Sequence, residues 1–190
     1  MTARKILSFD LLLARLAEHR QCLDRVVFSN GCFDLFHAGH LATLEAARSL
    51  GNVLVVAVNS DASVQRLKGP GRPIVPEQER AFIIAGLECV SYVTVFEEDT
   101  PERLIAAIRP DVLVKSKKEA TCVVGRDLVE SYGGRVVLTP VVAGLSTTGR
   151  LAGINGEDGC ERRGEKAVFG STGLVPGWSR NWETTGAGWE

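Results

Sequence analysis

Two of the three histidines in this 190-residue chain stand three positions apart, His37 and His40, with Gly39 between them. The residues around them read as a strand, a loop and the start of a helix. At such a junction, unpaired backbone N–H groups and the positive end of the helix dipole make a site for an anion. Glycine lets the backbone approach a ligand closely. Imidazole N–H groups can donate to phosphate oxygens whose charge grows in a transition state, each donor being worth roughly 3 kcal/mol of barrier. A lone histidine at this place would more simply cap the helix or hold a metal. A pair that follows a strand and the loop Asn30-Gly31-Cys32-Phe33-Asp34 fits phosphate binding better, and no metal-ligand set is expected.

Three other groups could join the histidines. Lys68 and Arg72 lie in a loop stiffened by Pro70 and Pro73, and Arg80 falls one turn into the next helix. Arginine grips phosphate with two parallel hydrogen bonds, while lysine acts as a point charge. Three solvated surface cations are an equally good account of these residues alone. Lys115 follows the apolar run Val112-Leu113-Val114. If that strand lies beside the first, Lys115 and the histidines face one crevice, because ligands of doubly wound sheets bind at the carboxyl ends of strands where the order reverses. Ser146-Thr147-Thr148 could serve phosphate or ribose, or simply cap a helix. No Gly-x-x-x-x-Gly-Lys-Ser/Thr loop occurs, and no Gly-x-Gly-x-x-Gly follows a strand, which argues against P-loop and dinucleotide-binding proteins.

The elements that must position these residues alternate. Ser8 caps a helix whose Leu12, Leu13, Leu16 and Ala17 share one face. Val26-Val27-Phe28 is a first strand, and a helix runs from Ala38 to a stop at Gly51. Val53 to Val58 is a continuous apolar strand of the kind buried on both faces. A short helical stretch to Leu67 follows, then an irregular loop over Lys68 to Pro73, then a helix with Pro76 in its first turn reaching about Leu87. Tyr92 to Phe96 is the third strand. Thr100 caps a helix that has Pro101 as its first residue and ends before Pro110. Val112 to Val114 is the fourth strand. A helix over Arg126 to Tyr132, a Gly133-Gly134 turn and a fifth strand, Val136 to Leu138, complete the pattern. This alternation predicts an α/β fold, a doubly wound five-stranded parallel sheet.

Composition sets the outer limits. At 45% hydrophobic, the chain can bury one compact domain with some chain to spare. A net charge of −1 gives no bulk field for nucleic acid. No apolar run approaches a membrane span of about 20 residues, and the first residues lack a signal peptide's apolar region. The five cysteines form no Cys-x-x-Cys pair and read as free thiols in a reducing cytoplasm. Three parts follow: an N-terminal helical segment over 1–25, an α/β domain over 26–148 and a tail over 149–190. The tail holds half of the 20 glycines and all three tryptophans, with no visible period, and is expected to be poorly ordered.

Taken together these stretches resemble the cytidylyltransferase-like nucleotidyltransferases, a Rossmann-like family in which His-x-Gly-His follows the first strand. Within that superfamily the chain is most similar to the D-glycero-β-D-manno-heptose 1-phosphate adenylyltransferases. The resemblance rests on Ser29 to His40, Val58-Asn59-Ser60-Asp61, Arg66-Leu67-Lys68-Gly69, Arg72-Pro73-Ile74, Phe96 to Pro101 and Leu145-Ser146-Thr147-Thr148. It implies transfer of AMP from ATP to heptose 1-phosphate, giving ADP-heptose for lipopolysaccharide core synthesis and pyrophosphate, with Mg²⁺ bound chiefly through the triphosphate. It implies catalytic roles for His37, His40 and Lys68. Asn30, Gly31, Cys32, Phe33, Gly39, Arg80, Lys115, Ser146, Thr147 and Thr148 would bind the nucleotide, and Asp34, Asn59, Asp61 and Arg72 the acceptor. A homodimer and a separate sugar kinase upstream are further implications.

Two places depart from that pattern. After the fourth-strand lysine, relatives carry a glycine-rich stretch close to Gly-Gly-Asp-Tyr, where this chain has Ser116-Lys117-Lys118-Glu119. After the Ser-Thr-Thr motif, relatives continue with a short apolar helix, where this chain enters its tail. Two rivals therefore stand beside the adenylyltransferase. One is a cytidylyltransferase acting on glycerol 3-phosphate or a similar alcohol phosphate. The other is a nucleotide-binding protein with impaired turnover.

Overall fold

The computed structural model describes residues 2–117 and 123–139. The expectations for Lys118, Glu119, Ser146, Thr147, Thr148 and the tail over 149–190 lie outside those residues. Five parallel strands form one sheet: β1 (Val26–Gly31), β2 (Val53–Asn59), β3 (Tyr92–Phe96), β4 (Val112–Ser116) and β5 (Arg135–Thr139). Their spatial order is β3-β2-β1-β4-β5. The chain moves outward from β1 through β2 to β3, then returns to place β4 against the other side of β1. The order therefore reverses between β1 and β4, as the reading of Lys115 required.

Alternation along the strands explains the continuous apolar run in β2. Val53, Val55 and Ala57 enter a core with Leu12 and Leu16 of α1 (Phe9–Gln21), Ile105 of α5 (Glu102–Ile108) and Val129 of α6 (Arg126–Ser131). Leu54, Val56 and Val58 enter a second core with Leu44 and Ala47 of α2 (Ala38–Arg48) and Ala81 and Ile84 of α4 (Glu77–Gly86). Helices thus cover both faces, and a strand sealed on both sides needs no polar position. Each fully buried valine or leucine contributes about 1.5–3 kcal/mol by area transfer, so the sheet holds itself without help from the site residues at its rim.

Helix boundaries follow local chemistry. Ser8 caps α1, its hydroxyl accepting from Leu11 N–H, and Ser60 caps α3 (Asp61–Lys68) through Ser63 N–H. Pro76 and Pro101 are the N-caps of α4 and α5, one position earlier than expected from proline's preference for the first turn, and Thr100 lies outside α5. The fixed φ of proline suits either place. One element was not anticipated: a short 3-10 turn over Thr2–Lys5 leads Ile6 into a parallel bridge with Val93 on the outer edge of β3. Among the described residues no helix is long and apolar enough to cross a membrane.

Candidate functional site

The histidine pair sits where the fold reverses. β1 ends at Gly31, and α2 starts at Ala38 with His37 as its N-cap. His37 Nδ1 accepts from Gly39 N–H at 3.1 Å and His40 N–H at 3.3 Å. Capping and phosphate binding, posed as rivals by the sequence, are therefore compatible for this ring. An acceptor Nδ1 carries no proton, so in the neutral ring the proton is on Nε2, at the opposite edge. His40 stacks on His37 with centroids 3.8 Å apart and planes 15° apart. Phe33 meets His40 edge-on at 5.3 Å, and Phe36 lies 5.5 Å away. The two imidazoles are held as one plate between aromatic neighbours.

The loop that carries them is strained. Phe33 and Leu35 adopt positive φ, 50° and 49°, a region that costs a non-glycine residue of order 1–2 kcal/mol. Such a path persists only where its surroundings hold it. Asp34, between them, is 3% exposed. Its Oδ1 accepts from Ile74 N–H at 3.0 Å and Val75 N–H at 3.1 Å, and its Oδ2 lies 3.0 Å from Arg72 Nη1. Asp34 and Arg72, both expected at the acceptor, are thus paired with each other. The pair fastens the irregular segment before α4 to the histidine loop.

Arg80 is the largest departure from expectation. It was read as a phosphate ligand, yet it is 1% exposed. Its guanidinium donates to Val75 O (2.8 Å), Cys32 O (2.5 Å), Asn59 O (2.8 Å) and Asp61 Oδ1 (2.6 Å). Sequence shows a basic residue one turn into a helix. It does not show that four carbonyl or carboxylate oxygens, from the histidine loop, the end of β2, the start of α3 and the segment before α4, converge on that point.

Other expected residues occupy the rim. Asn30 is the penultimate residue of β1, and its Oδ1 is buried with no protein donor among the described residues. Gly31 follows it, with the Phe33 ring close enough that a Cβ would stand 3.3 Å from Cε2. Asn59 is buried, its amide donating to Ser63 Oγ at 3.0 Å. Asp61 heads α3 with its side chain partly open, and its N–H donates to Glu77 Oε2 at 2.7 Å. Lys115 is 7% exposed in β4, next to Val114, which pairs with Ser29 of β1. Its carbonyl accepts from Thr139 Oγ1 at 3.3 Å. Ser116 ends β4 in register with Thr139. Lys68 is exposed at the end of α3, before Gly69 and Gly71, whose φ values of 89° and 80° and open surroundings mark a projecting turn. Lys68 is thus joined to the site only through the chain leading to Arg72. A separate open cleft of about 510 Å³ is lined by Ala62, Arg66, Phe96, Glu98 and Arg103, among others, and by no residue of the histidine loop.

A family model described as cytidylyltransferase-like matches residues 28–143, from within β1 through the histidine loop to beyond β5. The chain is 56% identical over 146 residues to the bifunctional protein HldE of Trichlorobacter lovleyi, covering 76% of this chain and 29% of that protein. It is 60% identical over 124 residues to HldE of Syntrophotalea carbinolica, covering 65% and 25% respectively. The chain thus spans less than a third of the length of these relatives. Among solved structures, a lipopolysaccharide core biosynthesis protein from Thermoplasma volcanium superposes with a TM-score of 0.52 at 24% identity, covering 63% of this chain and 97% of that one. A pantoate-β-alanine ligase from Francisella tularensis, solved with an ATP analogue and β-alanine, gives 0.54 at 14% identity over 77% and 72%. At these identities the two structures speak for the fold alone.

Proposed function

The chain belongs to the cytidylyltransferase-like family, and from that premise we propose that it transfers AMP from ATP to a sugar 1-phosphate, D-glycero-β-D-manno-heptose 1-phosphate, giving ADP-heptose and pyrophosphate. The observation that carries the reading is the stacked His37–His40 plate at the amino end of α2, at the reversal point of the sheet. An acceptor phosphate oxygen attacks the α-phosphorus in line. One P–O bond forms, the bond to the bridging oxygen breaks, and pyrophosphate leaves. No covalent enzyme intermediate is needed, so the protein acts by positioning and by stabilising charge. With Nδ1 accepting from the backbone, the proton-bearing edge of the neutral His37 ring is Nε2, the edge this reading directs at phosphate oxygen. His40, fixed by stacking, supplies the second imidazole. Lys115 at the end of β4, with Lys68 on the projecting turn, neutralises phosphate charge. The buried, unmatched Oδ1 of Asn30 and the glycines at 31 and 39 suit the nucleotide side, together with Cys32, Phe33 and Ser146 to Thr148. The open carboxylate oxygen of Asp61, beside Asn59, suits acceptor hydroxyls.

Among the described residues no three His, Cys, Asp or Glu side chains converge as a metal cage. The resemblance implies a divalent ion, here Mg²⁺, carried chiefly by the nucleotide phosphates, which would supply charge neutralisation when bound. The relatives are bifunctional proteins of which this chain spans less than a third, and on this reading a separate sugar kinase upstream makes the acceptor. The deciding experiment is pyrophosphate release with ATP and with CTP, each with Mg²⁺ and heptose 1-phosphate, beside His40→Ala. Release with ATP that requires the sugar phosphate and falls about 100- to 1,000-fold in the variant is the expected result. Preference for CTP with glycerol 3-phosphate would overturn the substrate assignment. Binding of ATP without release would place the chain among proteins that have lost turnover.

A further inference from the structure

We propose that Arg80 is a positioning residue for this transfer: it binds no substrate and instead sets the backbone path that presents His37 and His40. The proposal rests on the transferase reading above for its activity arm alone. Its geometric basis is independent. A guanidinium has five N–H donors in one plane. Four bonds from Arg80 go to Cys32 O, Asn59 O, Val75 O and Asp61 Oδ1, and the side chain is fully buried. That leaves no edge with which to fork a phosphate.

The four acceptors come from four places that must keep their relative positions. Cys32 opens the histidine loop, Asn59 ends β2, Asp61 begins α3 and Val75 lies on the segment entering α4. The traffic is reciprocal. Arg80, from α4, reaches back to the histidine loop at Cys32. Asp34, from the histidine loop, reaches forward to Ile74, Val75 and Arg72. Phe33 lies between the two anchors and Leu35 just after the second, both in strained conformation, with Leu35 two residues short of His37. Without the grip on Cys32, that loop loses one of the two anchors described for it. Lysine cannot substitute, because an ammonium is a point donor and cannot span four acceptors lying in a plane.

The test compares wild-type with Arg80→Lys in three measurements on the full chain. Turnover is expected to fall 10- to 100-fold in kcat, while the affinity for ATP stays within threefold. Hydrogen exchange is expected to accelerate in peptides covering 30–36 and 59–62, with the strands β1, β2 and β4 as protected as before. In wild-type, the Arg80 Nε–H resonance is expected to exchange slowly and to hold its position when ATP is added. A tenfold or greater loss of ATP affinity, or a large shift of that resonance with ATP, would make Arg80 a substrate ligand and overturn the proposal. Exchange that rises uniformly over the sheet, with kcat per folded molecule unchanged, would make it a structural residue and overturn it equally. If Arg80→Lys fails to fold, the resonance measurement on wild-type still decides between ligand and positioning residue. A wild-type protein that releases no pyrophosphate sinks the transferase reading, while the exchange and resonance results still judge Arg80.

Discussion

Replacing His37 by asparagine and by alanine separates two jobs that one imidazole performs. Nδ1 caps α2 by accepting from the N–H groups of residues 39 and 40. Nε2–H, on the opposite edge, is the donor that the proposed transfer assigns to phosphate. Asparagine is among the best N-cap residues and alanine among the poorest, the difference being about 1 kcal/mol. For a chain of this size that corresponds to a fall in Tm of about 2–4 °C. His37→Ala is expected to show that fall, and His37→Asn to melt close to wild-type. Neither variant presents Nε2–H, so both are expected to lose about 100- to 1,000-fold in turnover, the usual consequence of removing one oxyanion donor. Calorimetry and pyrophosphate release on the same preparations measure the two effects. Near-wild-type turnover in His37→Asn would refute the reasoning, for it would reduce the first histidine to a cap. Equal melting of the two variants would refute the assignment of the cap to Nδ1.

Other perturbations test the surroundings of the site. At Gly51 a Cβ would stand 2.6 Å from the Arg25 carbonyl and 2.6 Å from Val27 Cγ2, whereas at Gly133 it would meet nothing within 4 Å. Gly51→Ala is therefore expected to cost about 1–3 kcal/mol by forcing the backbone apart, and Gly133→Ala only the roughly 1–2 kcal/mol of a left-handed φ; urea midpoints rank them. Burial alone would raise the Glu98 carboxyl, but its own backbone N–H, the Arg103 guanidinium and the Glu97 N–H outweigh burial and hold it below the usual range. Its ionised form thus favours the folded state above the unfolded carboxylate range, and the benefit fades as pH falls through the lowered folded value. The stability gap between wild-type and Glu98→Gln is expected at pH 7 and to shrink as pH falls below the usual carboxylate range, read in urea titrations. Burial, followed by the nearby Glu45 charge, pushes the Cys89 thiol up, so at pH 8 a disulfide reagent is expected to modify exposed Cys22 well before Cys89.

Periodicity carried the fold a long way. Six apolar residues in a row at 53–58 have few homes other than a strand covered on both faces, and the glycines and prolines between runs placed the crossings. The adjacency of β1 and β4 followed only as a condition, because pairing partners are chosen by packing across the whole sheet. The histidine junction was legible because its chemistry depends on neighbours within three residues. Arg80, Asp34 and Arg72 were not, since their roles depend on which distant carbonyls and N–H groups lack partners. A buried arginine and a solvated one look alike in a sequence. The bridge at Ile6 escaped for a different reason: two apolar residues after a charged pair are too short to show a period.

That bridge bears on how the molecule meets other chains. A parallel sheet has two rims, and a bare rim is a template on which any extended peptide can add itself. On the β3 side the protein supplies its own occupant. Leu7 N–H donates to Val93 O at 2.9 Å, and Lys5 Nζ reaches Leu87 O at 2.9 Å. Residues 5–7 thus act as a stopper for strand addition. Whatever is joined ahead of them, a purification tag or another folded unit, is delivered to the β3 rim, four strand spacings or about 19 Å from the β5 rim.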